Sequence, residues 1–162
     1  MNGEFHDYSH KAPWVLRLKW DDDRQTYDMH GLWYDRPPKA GSDTRSWDLR
    51  TIADEPQLLR RMEIDWNSSH HKRTDEPSAR EAKDIRDGEL HTSDPLEKIR
   101  FDADVKFWSH EWNKHGRVSG MHPHQYFRKA FQLFDLVRPQ VPSHKTSAEV
   151  QFHFDENFRR IA

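Results

Sequence analysis

Phe107-Trp108-Ser109-His110-Glu111-Trp112-Asn113-Lys114-His115-Gly116 sets two histidines, a glutamate and a lysine among tryptophans. The pattern predicts a helix over 107–116 that ends at Gly116, because glycine readily closes a helix. At about 100° per residue, with His110 at zero, Lys114 falls near ~40°, Glu111 near ~100° and His115 near ~140°. The four ionisable side chains then share one face. Trp108 and Trp112 fall near ~160° and ~200°, where they can enter a core and fix the helix. An anchored helix that aims two imidazoles, a carboxylate and an ammonium at one spot suits acid–base chemistry on an anion. The plainer alternative is a surface helix with its charges in water. A zinc-protease pair, His-Glu-x-x-His, fits poorly. It needs the second imidazole four residues after the first, where this chain has Lys114, and His115 comes one residue late.

A second cluster lies far upstream, in Tyr27-Asp28-Met29-His30-Gly31-Leu32-Trp33-Tyr34-Asp35. Strict strand alternation puts His30 and Asp28 on one face with Leu32, and Met29 and Gly31 on the other. A histidine at a strand end beside Trp33 offers a proton-transfer group next to an aromatic plate. Such a plate can stack a nucleobase, worth about 1–3 kcal/mol. A core edge with a hydrogen-bonded histidine accounts for the same residues equally well.

Working outward, Trp14–Trp20 reads as a strand stopped by Asp21, Asp22 and Asp23, and Thr26–Trp33 as a second strand running into Gly31, where the backbone turns or lies close to something. Pro37, Pro38 and Gly41 mark a loop. Helical spacing recurs from Trp47 to Trp66, with Pro56 placed to start a helix. Between about 67 and 104 the apolar pattern lapses, and a polar, partly helical insertion is expected. His70 and His71 within it read as part of a solvated loop. Pro123–Val137 predicts a helix with Tyr126, Phe127, Ala130, Phe131, Phe134 and Val137 on one side. Thr146–Ile161 reads as a final amphipathic helix, capped by Thr146 or Ser147 with Glu149 in its first turn.

Composition narrows the class. Leu, Ile, Val and Phe make up under a fifth of the 162 residues, and a third are charged, yet the net charge is only −2 and there are seven tryptophans. Mean hydropathy is −1.17 and the isoelectric point about 6.6. One aromatic-rich core in a single domain over 1–162 is expected. The near-neutral balance argues against coating nucleic acid by bulk positive charge, so any RNA contact should be local. The chain has no cysteine, which favours a cytoplasmic or other reducing compartment. No signal-peptide run is visible in 1–11 and no transmembrane span elsewhere; a secreted location remains the alternative if a leader has been removed.

The two clusters, in this order, resemble the active-site segments of the ribonuclease T2 family, which read like IHGLWPD and FWxHEWxKHG. Here they stand as Met29–Asp35 and Phe107–Gly116, the second with every diagnostic position intact. Weaker similarity covers Leu18-Lys19-Trp20, Trp47 to Trp66, and Tyr126 to Pro139. The resemblance implies an α+β fold with a small antiparallel sheet flanked by helices. It also implies metal-independent, cofactor-free cleavage of single-stranded RNA through a 2′,3′-cyclic phosphate, with DNA spared for want of a 2′-hydroxyl. By position, His115 is implied as base and His30 as acid, with His110 holding the phosphate and Lys114 and Glu111 steadying the developing charge. Trp33 and Asp35 match base-pocket positions, and Phe107 and Lys19 lie near the second base.

Departures accompany the likeness. Tyr34 replaces the usual proline, and Lys19 a glutamine. Arg117, Val118 and Ser119 stand where the family has cysteine. With a helix expected at Thr146–Ile161, the family's last core strands are expected to be missing or to belong to a longer parent chain. A catalytically silent RNA- or partner-binding module is the other reading. A toxin or effector domain held by a protein inhibitor is compatible with either. No membrane partner is implied.

Overall fold

The residues of Trp14–Asp21 alternate between buried and partly exposed, and they form the strand this pattern predicts, β1. Thr26–Tyr34 forms β2, antiparallel to β1. The computed structural model describes residues 12–39, 52, 55–68 and 95–161, and within the last span the side chains from 103 onward. The N-terminal stretch, most of the first half of the 47–66 pattern, and the expected loop containing His70 and His71 lie outside the described residues.

Pro56–Asp65 is a helix, α1, with proline in its first turn as expected. Pro95–Glu111 forms α2, and Pro123–Val137 forms α3. Helix α2 therefore begins inside the stretch expected to be an insertion. That stretch is also tied down at its two ends, where the Ser68 N–H donates to the buried Asp104 carboxylate at 2.7 Å. The start of α3 is fixed reciprocally at His122, whose backbone N–H donates to Gln125 Oε1 at 2.9 Å.

The expected C-terminal helix does not form. Glu149–Phe154 is a strand, β3, and Arg160–Ile161 a short one, β4. Val150, Phe154, Phe158 and Ile161 fit a helical stripe, but Val150, Phe152 and Phe154 fit a two-residue period equally well. The tie is broken by β1. Its Leu18, Leu16 and Trp14 pair directly with Val150, Phe152 and Phe154, and β-branched and aromatic side chains suit that pleated, half-buried surface. A left-handed residue, Phe158 (φ 62°), helps turn the chain back into β4. The sheet is thus four-stranded and antiparallel among the described residues, in the order β2-β1-β3-β4. The segment expected to be helical thus supplies two of the four strands.

One face of the sheet carries Trp14, Leu16, Leu18, Met29, Leu32, Phe152 and Phe154. They join Leu59, Met62, Trp66, Trp108, Trp112 and the apolar side of α3 in one core cluster. The fold class is α+β. The outer edge of β2 is closed by side chains: Trp66 Nε1–H donates to His30 O at 2.9 Å, and Tyr126 O–H to Leu32 O at 2.7 Å. Backbone acceptors that an edge strand would leave open are satisfied this way. Among the described residues no helix is long and apolar enough to cross a membrane.

Candidate active site

The strict alternation read along β2 breaks at His30. Arg17 pairs with Gly31, and Leu18 pairs with Met29, so His30 is an extra residue opposite no partner. The bulge resets the phase, and Met29 and Leu32 both enter the core while His30 leans out on the opposite face. Asp28 is not its companion. That carboxylate is buried at the hairpin end, where it accepts Arg24 NH1 at 2.9 Å. Burial, with Asp21 beside it, pushes Asp28 up to about 8 against the pull of Arg24.

The helix carrying the second motif also departs from regular spacing. α2 runs on into a π-helical turn over Trp112–Gly116 and then a 3₁₀ turn over Arg117–Ser119. A π turn inserts one residue and brings positions five apart closer to alignment, which the ~140° of a regular helix between His110 and His115 does not. The chain is turned not at Gly116 but at Gly120, which has φ 85°. Gly116 serves packing instead, since a Cβ there would lie 2.5 Å from the Trp112 ring and 2.7 Å from the Tyr126 ring.

These two irregularities bring the motifs together. The His115 imidazole is 7% exposed and lies on the Trp33 indole, with centroids 4.4 Å apart and planes 11° from parallel. Its Nε2 is 3.9 Å from Glu111 Oε2. The other oxygen of Glu111 rests over Gly31, where a Cβ would stand 2.0 Å from Oε1 and 2.8 Å from Trp33 Nε1. The close approach expected of Gly31 is therefore to the glutamate of the other motif. His30 has its ring 5.7 Å from Trp33 and 6.3 Å from Phe107. Lys19 Nζ lies 4.8 Å over the Phe107 ring and donates to Asn67 O at 3.1 Å.

The electrostatics separate the groups. Burial pulls His115 down to about 3, helped by Lys114, His110, His30 and Arg17, so its imidazole is neutral at any ordinary pH. Burial pushes Glu111 up to about 7, opposed by the Trp33 indole, Lys19 and Lys114. With its imidazole neutral, His115 makes no ion pair with Glu111 at any ordinary pH. Lys114 and His110 are exposed on the same turn of chain. Asp35 stands past the end of β2, its backbone N–H donating to Pro13 O at 2.6 Å, beyond the ring contacts that join His30 to His115. Among the described residues no three His, Asp or Glu side chains are grouped to hold a metal ion.

Two residues at the site were not anticipated. Arg17 places its guanidinium 3.7 Å over the Trp33 ring, so this indole already carries two stacking partners, Arg17 and His115. Glu149 accepts from Arg17 NH1 at 2.8 Å and bonds His30 Nδ1 at 2.8 Å. Arg17 was discernible as an outward position of an alternating strand. Glu149 carried no signal once its segment was read as a helix.

Compared with protein-family models, curated proteins and solved structures, the chain matches none of them.

Proposed function

We propose that this chain is an endoribonuclease that cleaves single-stranded RNA by transesterification, in the manner its two motifs suggest by their resemblance to the ribonuclease T2 family. The observation that carries the reading is the meeting of His30 and His115 around Trp33, although their motifs lie some 80 residues apart in the chain. Transfer of a phosphodiester needs one group to take the 2′-hydroxyl proton and a second to protonate the departing 5′-oxygen.

His115 is the proposed base, since its neutral imidazole has a nitrogen free of a proton and able to accept one. The bond from the 2′-oxygen to phosphorus forms as its proton passes to His115. The bond from phosphorus to the 5′-oxygen breaks as His30, in its protonated form, returns a proton to the leaving oxygen. A 2′,3′-cyclic phosphate and a 5′-hydroxyl result. Lys114 and His110, exposed beside His115, meet the anionic phosphate. Glu111, raised to about 7, is largely protonated in mildly acidic solution and can donate a hydrogen bond to the oxygens of the five-coordinate phosphorus. Trp33, Phe107, Lys19 and Asp35 are the proposed base contacts. For Trp33 this requires a base to stack at its free margin or to displace Arg17 or His115.

The test is cleavage of a short single-stranded RNA in excess EDTA near pH 6, beside the His115→Ala protein and an all-DNA strand. Cyclic-phosphate ends from the wild type alone, with DNA intact, are expected. A folded wild type that leaves RNA uncut would overturn the proposal and favour a binding module.

A further inference from the structure

The outer face of the sheet holds a carboxylate whose two oxygens are both committed. Glu149, at the first position of β3, uses Oε1 to accept from Arg17 and Oε2 to accept from His30 Nδ1. It is about a quarter exposed, so its carboxylate is held by these partners rather than by burial. Its backbone is aligned opposite Lys19 in the sheet, and its carbonyl oxygen accepts from Ser147 Oγ at 2.6 Å. Arg17 is in turn laid over Trp33, which restrains the guanidinium and, through it, the carboxylate.

We infer that Glu149 is a positioning residue for His30: it holds the imidazole with Nδ1 protonated, so that Nε2 is the atom that delivers a proton to the leaving oxygen. This rests on the nuclease reading above. A carboxylate can only accept, so the bond dictates the tautomer that remains after transfer. His30 sits on a bulge, with no opposite residue in the ladder to brace it, and an unbraced ring would sample other rotamers. Glu149 supplies both the orientation and a counter-charge for the imidazolium. Arg17 keeps the carboxylate itself from swinging away, and through Trp33 it links His30 to the stacked His115.

The test compares wild type, Glu149→Gln, Glu149→Asp and His30→Ala on a short RNA in EDTA. The imidazole nitrogens are read in parallel by ¹⁵N NMR, and the His30 signals, among 12 histidines, are identified by their loss in His30→Ala. In wild type, His30 is expected as the Nδ1–H tautomer when neutral. Glu149→Gln, whose amide can either donate or accept, is expected to mix the tautomers. It should lower kcat about 10- to 100-fold, part of the 10²–10⁴ that a placed proton donor contributes, with KM within about twofold. Glu149→Asp is expected to restore part of kcat.

An active wild type with Glu149→Gln at the same kcat would overturn this inference and leave the nuclease reading standing. So would a wild-type His30 protonated at Nε2, a result that stands even if Glu149→Gln fails to fold. A wild type that cleaves no RNA removes both.

Discussion

His30 and His115 are the same chemical group in opposite surroundings. His115 is buried against an indole on an irregular helical turn, and four cationic or imidazole groups bear on it. His30 stands on a strand bulge, its side chain about a third exposed, with a carboxylate at Nδ1. Burial and like charge disfavour the imidazolium of His115, whereas the carboxylate at His30 fixes which of its nitrogens carries the proton. The proposed roles, His115 as base and His30 as acid, rest on this difference taken together with the order that the resemblance implies.

The contrast is broken most directly by removing either ring. His115→Ala and His30→Ala are each expected to lower kcat/KM by about 10³-fold or more, the range of a placed acid or base. The residual rates should be alike, and the double variant should be little worse than either single one. A strongly additive double variant would mean that the two rings do not serve one step.

Glu111 sharpens the comparison, because it touches His115 and lies over the backbone beside His30. With its carboxyl raised to about 7, the protonated donor is present below that pH and lost above it. Glu111→Gln keeps a donor at every pH. It is expected to stay within about tenfold of wild type and to lose the part of the decline that wild type shows as pH passes 7. Glu111→Ala should fall about 10²-fold at all pH, as when one charge-stabilising donor is removed. Rate–pH profiles of the three proteins decide it.

Gly31 joins the two surroundings. Gly31→Ala would force a methyl group into Glu111 and Trp33 and should cost about 1–3 kcal/mol in urea unfolding, the usual range for overpacking, together with a loss of activity. Unchanged stability would mean that the two motifs are less closely pressed together than described.

The smallest effect lies away from the site. Asp28 is raised from 3.8 to about 8 in the folded chain, so the unfolded chain releases its proton first and folding loses stability as pH rises between those values. Between pH 7 and 8, where Glu111 adds a smaller change of the same sign as it finishes ionising, the slope from Asp28 is at most about 1.4 kcal/mol per unit. Asp28→Asn, which can still accept from Arg24, should flatten it in unfolding measured at the two pH values.

Much of this was legible in residue order. Pro56 and Pro123 mark helix starts because a ring without an N–H is tolerated in a first turn. β1 shows in its alternation, and the apolar side of α3 in its spacing. The candidate site was visible because its residue types are chemically unusual together. The segment from 146 onward was not legible, since its apolar residues satisfy two periods at once and only pairing with β1 chooses between them. Glu149 was lost with it.

By itself, then, the order of residues determined which side chains are available for chemistry, where two helices begin, and the α+β class. Tertiary structure decided what those side chains can do. A bulge aims His30, a π turn carries His115 onto Trp33, and a strand from the far end of the chain brings Glu149 to His30. Each depends on contacts between segments distant in sequence. Burial and charge, which separate one imidazole from the other, are properties of the surroundings and not of the residue.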